Sequence, residues 1–244
     1  IGVAGSTPNV LIVAAFPVLT AVLAAALVVP ASAQKRPDPR RFADPSAVIA
    51  AEIAFAKLAQ EKGQWTAFRT AALPDAVMFV PQMVLAQQHL KDKADPAKAV
   101  TWQPHQVWSS CDGSLAVTRG AWQNGAASGY FTTVWARQRD GKYKWAVDMG
   151  EALPMPLDAP DMIVAKVGDC PPGFKGWRAP PKPKGKPVAP VFDPAQRSGK
   201  SDDGTLTWNV AVEPSGARRF AVELMQDGKL TPVQVLDVPA PEAK

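Results

Sequence analysis

The chain has 244 residues, of which 47% are hydrophobic and 20% charged, and its formal net charge is +5 at pH 7. This much apolar material can form a real core, so the composition excludes a wholly disordered chain, and the length fits one domain with extensions or two small domains. With two cysteines, two histidines (His89 and His105) and no glycine-rich phosphate loop, the sequence predicts no metal site, no cofactor and no dedicated nucleotide site.

The start of the chain has the pattern of an export signal. Residues 1–34 carry no charged side chain, and an apolar run extends from residue 10 to residue 29. The run is followed by Ala31-Ser32-Ala33, a spacing of small residues typical of signal-peptidase cleavage, so residues 1–33 are predicted to be a cleaved signal peptide. The alternative is a membrane anchor formed by residues 10–29, because about 20 apolar residues can span a bilayer. Both alternatives place the rest of the chain in the periplasm or outside the cell.

The first predicted elements of the mature chain are helical. Asp44-Pro45-Ser46 is typical of a helix start, and residues 47–62 are rich in strong helix formers and end before Gly63. Glu52 falls near the middle of the apolar arc of this helix. A second helix is predicted over 64–72, a short strand over 76–80 and a helical turn over 86–91.

From residue 100 onward the pattern changes to β structure. The turn dipeptides Asp112-Gly113, Asn124-Gly125 and Asp140-Gly141 separate four runs rich in β-branched and aromatic residues. This pattern predicts an antiparallel meander with strands at about 100–111, 114–123, 128–139 and 142–150.

The period of two along a strand sorts the side chains of the meander onto two faces. The more apolar face is expected to pack against the helices, and it collects Trp102, Gln106, Trp108, Leu115, Val117, Arg119, Tyr130, Thr132, Val134, Trp145, Val147 and Met149. The other face carries His105 and Asp148, together with Trp122 and Trp135 as a possible outward patch for a partner.

The remainder of the chain is predicted to be a linker followed by a short β segment. Residues 153–200 form the linker, and within residues 171–200 there are eight prolines and seven basic residues against one acid. Residues 201–244 contain three predicted strands at 205–212, 218–225 and 230–237. Because three strands are marginal alone, we expect them to dock on the main domain or on a partner.

The predicted compartment bears on the redox state of the two cysteines. An oxidising exterior favours a disulfide between Cys111 and Cys170, which closes a loop of about 60 residues and contributes on the order of 4 kcal/mol in the chain-entropy model. The alternative is two buried free thiols.

Residues 46–152 resemble the nuclear transport factor 2-like superfamily, and within it the SnoaL-like bacterial branch. The resemblance is carried by AEIAFA at 51–56, VMFVP at 77–81, GAW at 120–122, GYFTTVW at 129–135 and DGKYKWAVD at 140–148. It implies an α+β fold in which N-terminal helices pack on a curved antiparallel meander to form a cone-shaped domain with a pocket. The superfamily includes isomerases, polyketide cyclases and dehydratases, so the fold does not fix a function.

Glu52, Arg119 and Tyr130 are the polar residues that the pattern sends inward, and Glu52 and Tyr130 are the candidate catalytic residues. A carboxylate between apolar walls has the raised pKa that a general acid or base requires, and Arg119 can hold a ligand carboxylate in a bidentate fork. Gln106 and Trp145 lie on the same predicted face, and all five residues are candidate ligand contacts. The alternative is a structural Glu52–Arg119 ion pair with Tyr130 in a core hydrogen bond. His105 and Asp148 share the other face on separate strands, and His105 is predicted to be a surface residue at a strand edge; the alternative is a His–carboxylate couple for proton transfer.

The sequence therefore predicts an exported protein that binds a small, largely apolar ligand and lacks a complete catalytic set. One alternative is a cofactor-independent isomerase, cyclase or hydro-lyase that uses a pocket carboxylate. Another is a structural module of the cell envelope that forms a homodimer. Nucleic acid is not an expected partner, although the basic linker is expected to attract anionic envelope polymers.

Overall fold

The computed structural model describes residues 43–182 and 191–241, which form helices, a seven-stranded sheet and a four-stranded sheet. The three predicted helical segments are confirmed as α1 (Ser46–Lys62), α2 (Gln64–Ala71) and α3 (Ala86–Leu90). Gly63 separates α1 from α2 with a φ of 101°, a backbone conformation that glycine adopts without strain. The predicted signal peptide at 1–33 and the alternative anchor at 10–29 lie outside the described residues. Within those residues, no helix has the length and apolar character needed to cross a membrane.

The large sheet contains the predicted meander. Its strands are β1 (Ala72–Phe79), β2 (Met83–Leu85), β3 (Thr101–Ser109), β4 (Leu115–Asn124), β5 (Ala127–Arg137), β6 (Tyr143–Leu153) and β7 (Val164–Val167), in the spatial order β2-β1-β6-β5-β4-β3-β7. Strands β3 to β6 are antiparallel neighbours, as expected. The parallel additions of β1 to β6 and of β7 to β3 have no counterpart in the prediction.

The second sheet is formed by the end of the chain. It consists of β8 (Gln196–Lys200), β9 (Leu206–Val212), β10 (Arg218–Gln226) and β11 (Lys229–Val238), paired in the order β11-β10-β9-β8. The last three strands match the predicted segments. Strands β7 and β8 fall inside the range 153–200, so this range contains regular structure as well as proline-rich chain. Residues 183–190, which hold much of the predicted linker, lie outside the described residues.

The two faces of the large sheet are covered by different layers. The side chains of Trp108, Val117, Val134 and Val147 share a buried cluster with Leu206, Trp208, Phe220 and other residues of the second sheet. The opposite face packs on the helices, with Val48, Phe55 and Phe68 against Val107, Trp135 and Trp145. The expectation that the helices cover the more apolar face is therefore wrong, because the C-terminal sheet occupies that face. The expected outward Trp122–Trp135 patch is also wrong, since Trp135 is buried beneath the helices.

Two irregularities explain the residues that changed faces. The β3–β4 register shifts between Pro104 and Gln106, and the β5–β6 register shifts beside Ala146, which has no partner between Trp145 and Val147. A bulge changes the inward and outward alternation of a strand beyond it. Trp102 and Trp145 consequently lie on the helix side, whereas Trp108, Val117 and Val134 of the same predicted face lie on the other side.

The predicted disulfide is present between Cys111 and Cys170, whose Cα atoms are 5.1 Å apart. It joins the tip of the β3–β4 hairpin to the chain that follows β7. The bond thus holds the chain that leaves β7 against the tip of the β3–β4 hairpin.

Candidate functional site

The helix side of the large sheet encloses a cavity of about 300 Å³. Helices α1 and α2 form one wall and strands β1, β3, β4, β5 and β6 form the other. The wall is mostly aromatic and aliphatic, and it is lined by Phe55, Trp65, Phe68, Met78, Phe79, Val80, Val100, Trp102, Trp122, Phe131 and Met149, with Gln64 and Asn124 as amides. We call this space the aromatic cavity.

Asp148 is the only ionisable side chain among the described residues that line the aromatic cavity. Strand β6 places it opposite Thr133 of β5, and the Thr133 hydroxyl donates a hydrogen bond of 2.9 Å to Asp148 Oδ2. Asp148 is half-buried, and it lines the cavity. The site thus combines a largely apolar volume with one carboxyl group.

The surroundings of Asp148 favour its neutral form. Burial raises the pKa of this carboxyl to about 7, with a smaller contribution from the nearby Glu52 carboxyl, while the hydrogen bond from Thr133 acts in the opposite direction. At neutral pH both protonation states are accessible. Asp148 can therefore donate a hydrogen bond when protonated or accept a proton when ionised.

Glu52 lies inside the protein, as predicted, and is fully buried between α1 and the sheet. Trp102 Nε1 donates to Glu52 Oε1 at 2.7 Å, while Trp135 Nε1 and the Thr118 hydroxyl donate to Glu52 Oε2 at 2.8 and 2.5 Å. Burial raises the pKa of Glu52, and these three hydrogen bonds oppose that rise. Its oxygens are used by core partners, and Glu52 is not among the residues that line the aromatic cavity.

The other predicted contacts lie apart from Glu52. Gln106 and Arg119 are cross-strand partners on the opposite face, and the Arg119 guanidinium lies 4.5 Å from the centre of the Tyr130 ring. Burial lowers the pKa of Arg119 and raises that of Tyr130. The Glu52–Arg119 ion pair does not form. Trp145 is fully buried against Phe68 on the helix side, outside the cavity lining.

His105 and Asp148 do not share a site. His105 lies at the bulge of β3 and lines two clefts that do not include Asp148, whereas Asp148 faces the aromatic cavity. The expectation that His105 is a surface residue is wrong, because its side chain is buried. The role of Asp148 as a cavity group was missed because the helices were placed on the wrong face. The signal that would have found it is a lone carboxylate on the face that also carries Phe131, Thr133 and Trp135.

The described residues contain no group of three or more His, Cys, Asp or Glu side chains that could hold a metal ion. What the site offers chemically is thus an apolar volume, two amides and one carboxyl whose protonation changes near pH 7.

No protein-family profile matches the chain, and no curated protein matches it. Several solved structures are similar. A cystatin-like fold protein from Burkholderia xenovorans LB400 has 15% identity and a TM-score of 0.37, covering 46% of this chain and 92% of that chain. A protein from Parabacteroides distasonis ATCC 8503 that carries a provisional ketosteroid isomerase name has 14% identity and a TM-score of 0.37, covering 48% of this chain and 98% of that chain. An NTF-2-like protein of unknown function from Burkholderia xenovorans LB400 has 15% identity and a TM-score of 0.31, covering 48% of this chain and 89% of that chain. The last of these names is that of the superfamily that residues 46–152 resemble. Any function stated in these names belongs to those proteins.

Proposed function

We propose that this protein is exported and binds a small, largely apolar ligand in the aromatic cavity, with Asp148 as the polar contact. The observation that carries the proposal is a single carboxyl, with a pKa raised to about 7, in an otherwise largely apolar wall. Such a combination of apolar lining and one placed polar group is typical of small-molecule sites. The Cys111–Cys170 disulfide is in keeping with an oxidising compartment outside the cytoplasm.

The size and lining of the cavity limit the ligand. A volume of about 300 Å³ corresponds to a compact molecule rather than a long chain. Trp65, Trp102 and Trp122 offer ring faces and edges, so a ligand gains mainly from burying apolar surface. An anionic ligand would lose its hydration without gaining an opposite charge, because Asp148 is the only ionisable side chain among the described residues of the cavity wall.

The protonated carboxyl of Asp148 is a hydrogen-bond donor, so the preferred ligand has an acceptor such as a ketone oxygen. Binding to the protonated form is strongest below the pKa of Asp148 and weakens as pH rises through 7. A ligand without the acceptor leaves the carboxyl proton of Asp148 without a hydrogen-bond acceptor in the cavity and binds less tightly.

A second candidate function uses the same group as a proton carrier. A carboxyl with a pKa of about 7 that faces a cavity can remove a proton from a bound molecule and return it elsewhere, which is the chemistry of a cofactor-independent isomerase or hydro-lyase. This reading moves the role of pocket base from Glu52 to Asp148, because Asp148 faces the cavity. It predicts that Asp148→Asn retains ligand binding but abolishes turnover.

The binding proposal can be tested by NMR with 2-decalone as the acceptor-bearing probe and decalin as its apolar match. We expect 2-decalone to shift the indole N–H signals of Trp65, Trp102 and Trp122, while the indoles of Trp177 and Trp208, away from the cavity, stay unchanged. Asp148→Leu should remove the preference for the ketone, whereas Asp140→Leu at an exposed turn should preserve it. The proposal would be contradicted by shifts spread over all indoles. It would also be contradicted if Asp148→Leu kept the same preference for the ketone as the parent protein.

A further inference from the structure

We propose that a cleft on the other side of the large sheet binds the carboxylate of a small organic anion through Arg119. The cleft has a volume of about 290 Å³, and its lining includes His105, Gln106, Arg119, Leu157, Asp158 and Pro160. It shares no lining residue with the aromatic cavity, so this second site is independent of the proposed function. We call it the arginine cleft.

The elements that form the arginine cleft hold its polar groups side by side. Gln106 of β3 is the cross-strand partner of Arg119 on β4, and Val164 of β7 pairs with Gln106 from the other side. The chain between β6 and β7 contributes Leu157 and Pro160 as an apolar wall. The cleft is thus built from adjacent strands, and the connecting segment lies across them.

Arg119 has no carboxylate partner among the described residues. Its Nη1 atom is buried without a hydrogen bond, and the guanidinium is supported from one side by the Tyr130 ring at 4.5 Å. Thr132 is the cross-strand partner of Arg119 on β5, and its hydroxyl is also buried and unpaired. His105 Nε2, which belongs to another residue of the cleft lining, is unpaired as well.

Three unsatisfied polar groups in one region are unfavourable, because a buried donor or acceptor without a partner has lost its hydrogen bond to water and gained none in return. Buried polar groups are normally paired, so exceptions require an explanation. An anion bound to the Arg119 guanidinium and the Gln106 amide would supply the counter-charge that Arg119 lacks among the described residues. A guanidinium binds a carboxylate or phosphate in a fork, which a neutral ligand cannot match.

The apolar residues of the cleft favour an organic acid over an inorganic anion. Leu157, Pro160 and Val164 can cover a short hydrocarbon body next to the carboxylate. Asp158 is exposed in the same lining and forms no ion pair with Arg119 in the described part of the chain. It disfavours highly charged anions such as phosphate by repulsion, so a monocarboxylate is the class that the cleft fits best.

Calorimetry with butyrate, inorganic phosphate and butyramide tests this assignment on the full chain. We expect butyrate to bind and butyramide, which has the same shape without the charge, to show no measurable binding. Arg119→Gln should weaken butyrate at least about tenfold, in line with the loss of a charge-assisted pair. Arg137→Gln is the matched control, because Arg137 also lies over an aromatic ring, that of Trp177, but outside the cleft. Butyrate affinity should be unchanged in that variant.

Three results would overturn the proposal: no butyrate binding, tighter binding of phosphate than of butyrate, or an equal effect of the two arginine substitutions. Gln106→Leu gives a further variant that keeps the fold, since Gln106 is exposed, and it should weaken butyrate several-fold. Thermal unfolding without ligand separates binding from structure. Because Arg119 is unpaired, Arg119→Gln should unfold at the same temperature as the parent protein or higher, whereas a lower temperature would indicate a structural role.

Discussion

Asp112 and Asp203 exchange hydrogen bonds between the two sheets. The backbone N–H of Asp112 donates to Asp203 Oδ2 at 2.8 Å, and the backbone N–H of Asp203 donates to Asp112 Oδ2 at 3.1 Å. The other oxygen of each carboxylate organises its own turn: Asp112 Oδ1 accepts from Ser110 and Ser114, while Asp203 Oδ1 accepts from Ser201 and Thr205. The two turns, SSCDGSL and KSDDGTL, are thus built alike and held against each other.

This exchange predicts a loss of stability when either carboxylate is removed. Asp203→Ala leaves the backbone N–H groups of Asp112 and Thr205 without acceptors, so the free energy of unfolding should fall by about 2 kcal/mol or more. Chemical denaturation measures the loss, and Asp161→Ala, at an exposed position, is the control. In a double-mutant cycle, Asp112→Ala and Asp203→Ala should be coupled by about 1 kcal/mol. An Asp203→Ala variant as stable as the parent protein would show that the exchange contributes nothing.

The sequence contains both turns but does not show that they meet. Each Asp-Gly dipeptide marks a local turn, and the strands on either side follow from alternation, which is why the meander and the last three strands could be predicted. The Asp112–Asp203 contact joins residues 91 positions apart, and no local pattern carries that information. For the same reason, local patterns could not decide whether the C-terminal strands dock on the main domain or on a partner.

The contact between the sheets predicts an unusual result for proteolysis. Trypsin should cut at Arg178, which is exposed and outside regular structure, while Arg197 should resist because it lies in β8 and pairs with Asp75 at 2.5 Å. After cleavage at Arg178 the two fragments should elute together on size exclusion, since Leu206, Trp208 and Phe220 are buried against the large sheet. Separation of a folded N-terminal fragment would show that the C-terminal sheet is a separate module.

Glu52 gives a prediction about the core. Both of its oxygens accept from donors, so Glu52→Gln forces the amide NH₂ against at least one N–H or O–H group of Trp102, Trp135 or Thr118. We expect the free energy of unfolding to fall by about 1–3 kcal/mol. The variant Glu61→Gln, on the exposed side of the same helix, should have little effect. Equal stability of both variants would mean that the three hydrogen bonds to Glu52 are unimportant.

Asp148 makes stability depend on pH in a defined direction. Its pKa is raised from 3.8 to about 7 in the folded protein, so between these values the native state holds a proton that the unfolded chain releases. The free energy of unfolding should therefore fall as pH rises through this range, by at most about 4 kcal/mol from this group. Asp148→Asn cannot ionise, so its stability relative to the parent protein should rise from about pH 4 to pH 8. A constant difference for Asp148→Asn would be evidence against burial of the charge.

The site illustrates what the sequence could and could not provide. Strand alternation grouped Gln106 with Arg119, and the helical period placed Glu52 inward. Both placements agree with the structure. Pro104 was an available sign of the β3 bulge, because proline cannot donate to a strand ladder, but Ala146 gives no such sign for the bulge in β6. Which layer covers which face depends on long-range packing, so the pattern could not identify Asp148 as the carboxyl of the aromatic cavity.

The most direct test of the central claim is a ¹³C NMR titration of the Asp148 side-chain carboxyl, with and without 2-decalone. The structure predicts a midpoint at about pH 7 for the free protein. It also predicts a higher midpoint with the ketone, because the ligand binds the protonated carboxyl. A midpoint near pH 4 that does not respond to the ketone would contradict a buried, ligand-binding carboxyl in the aromatic cavity.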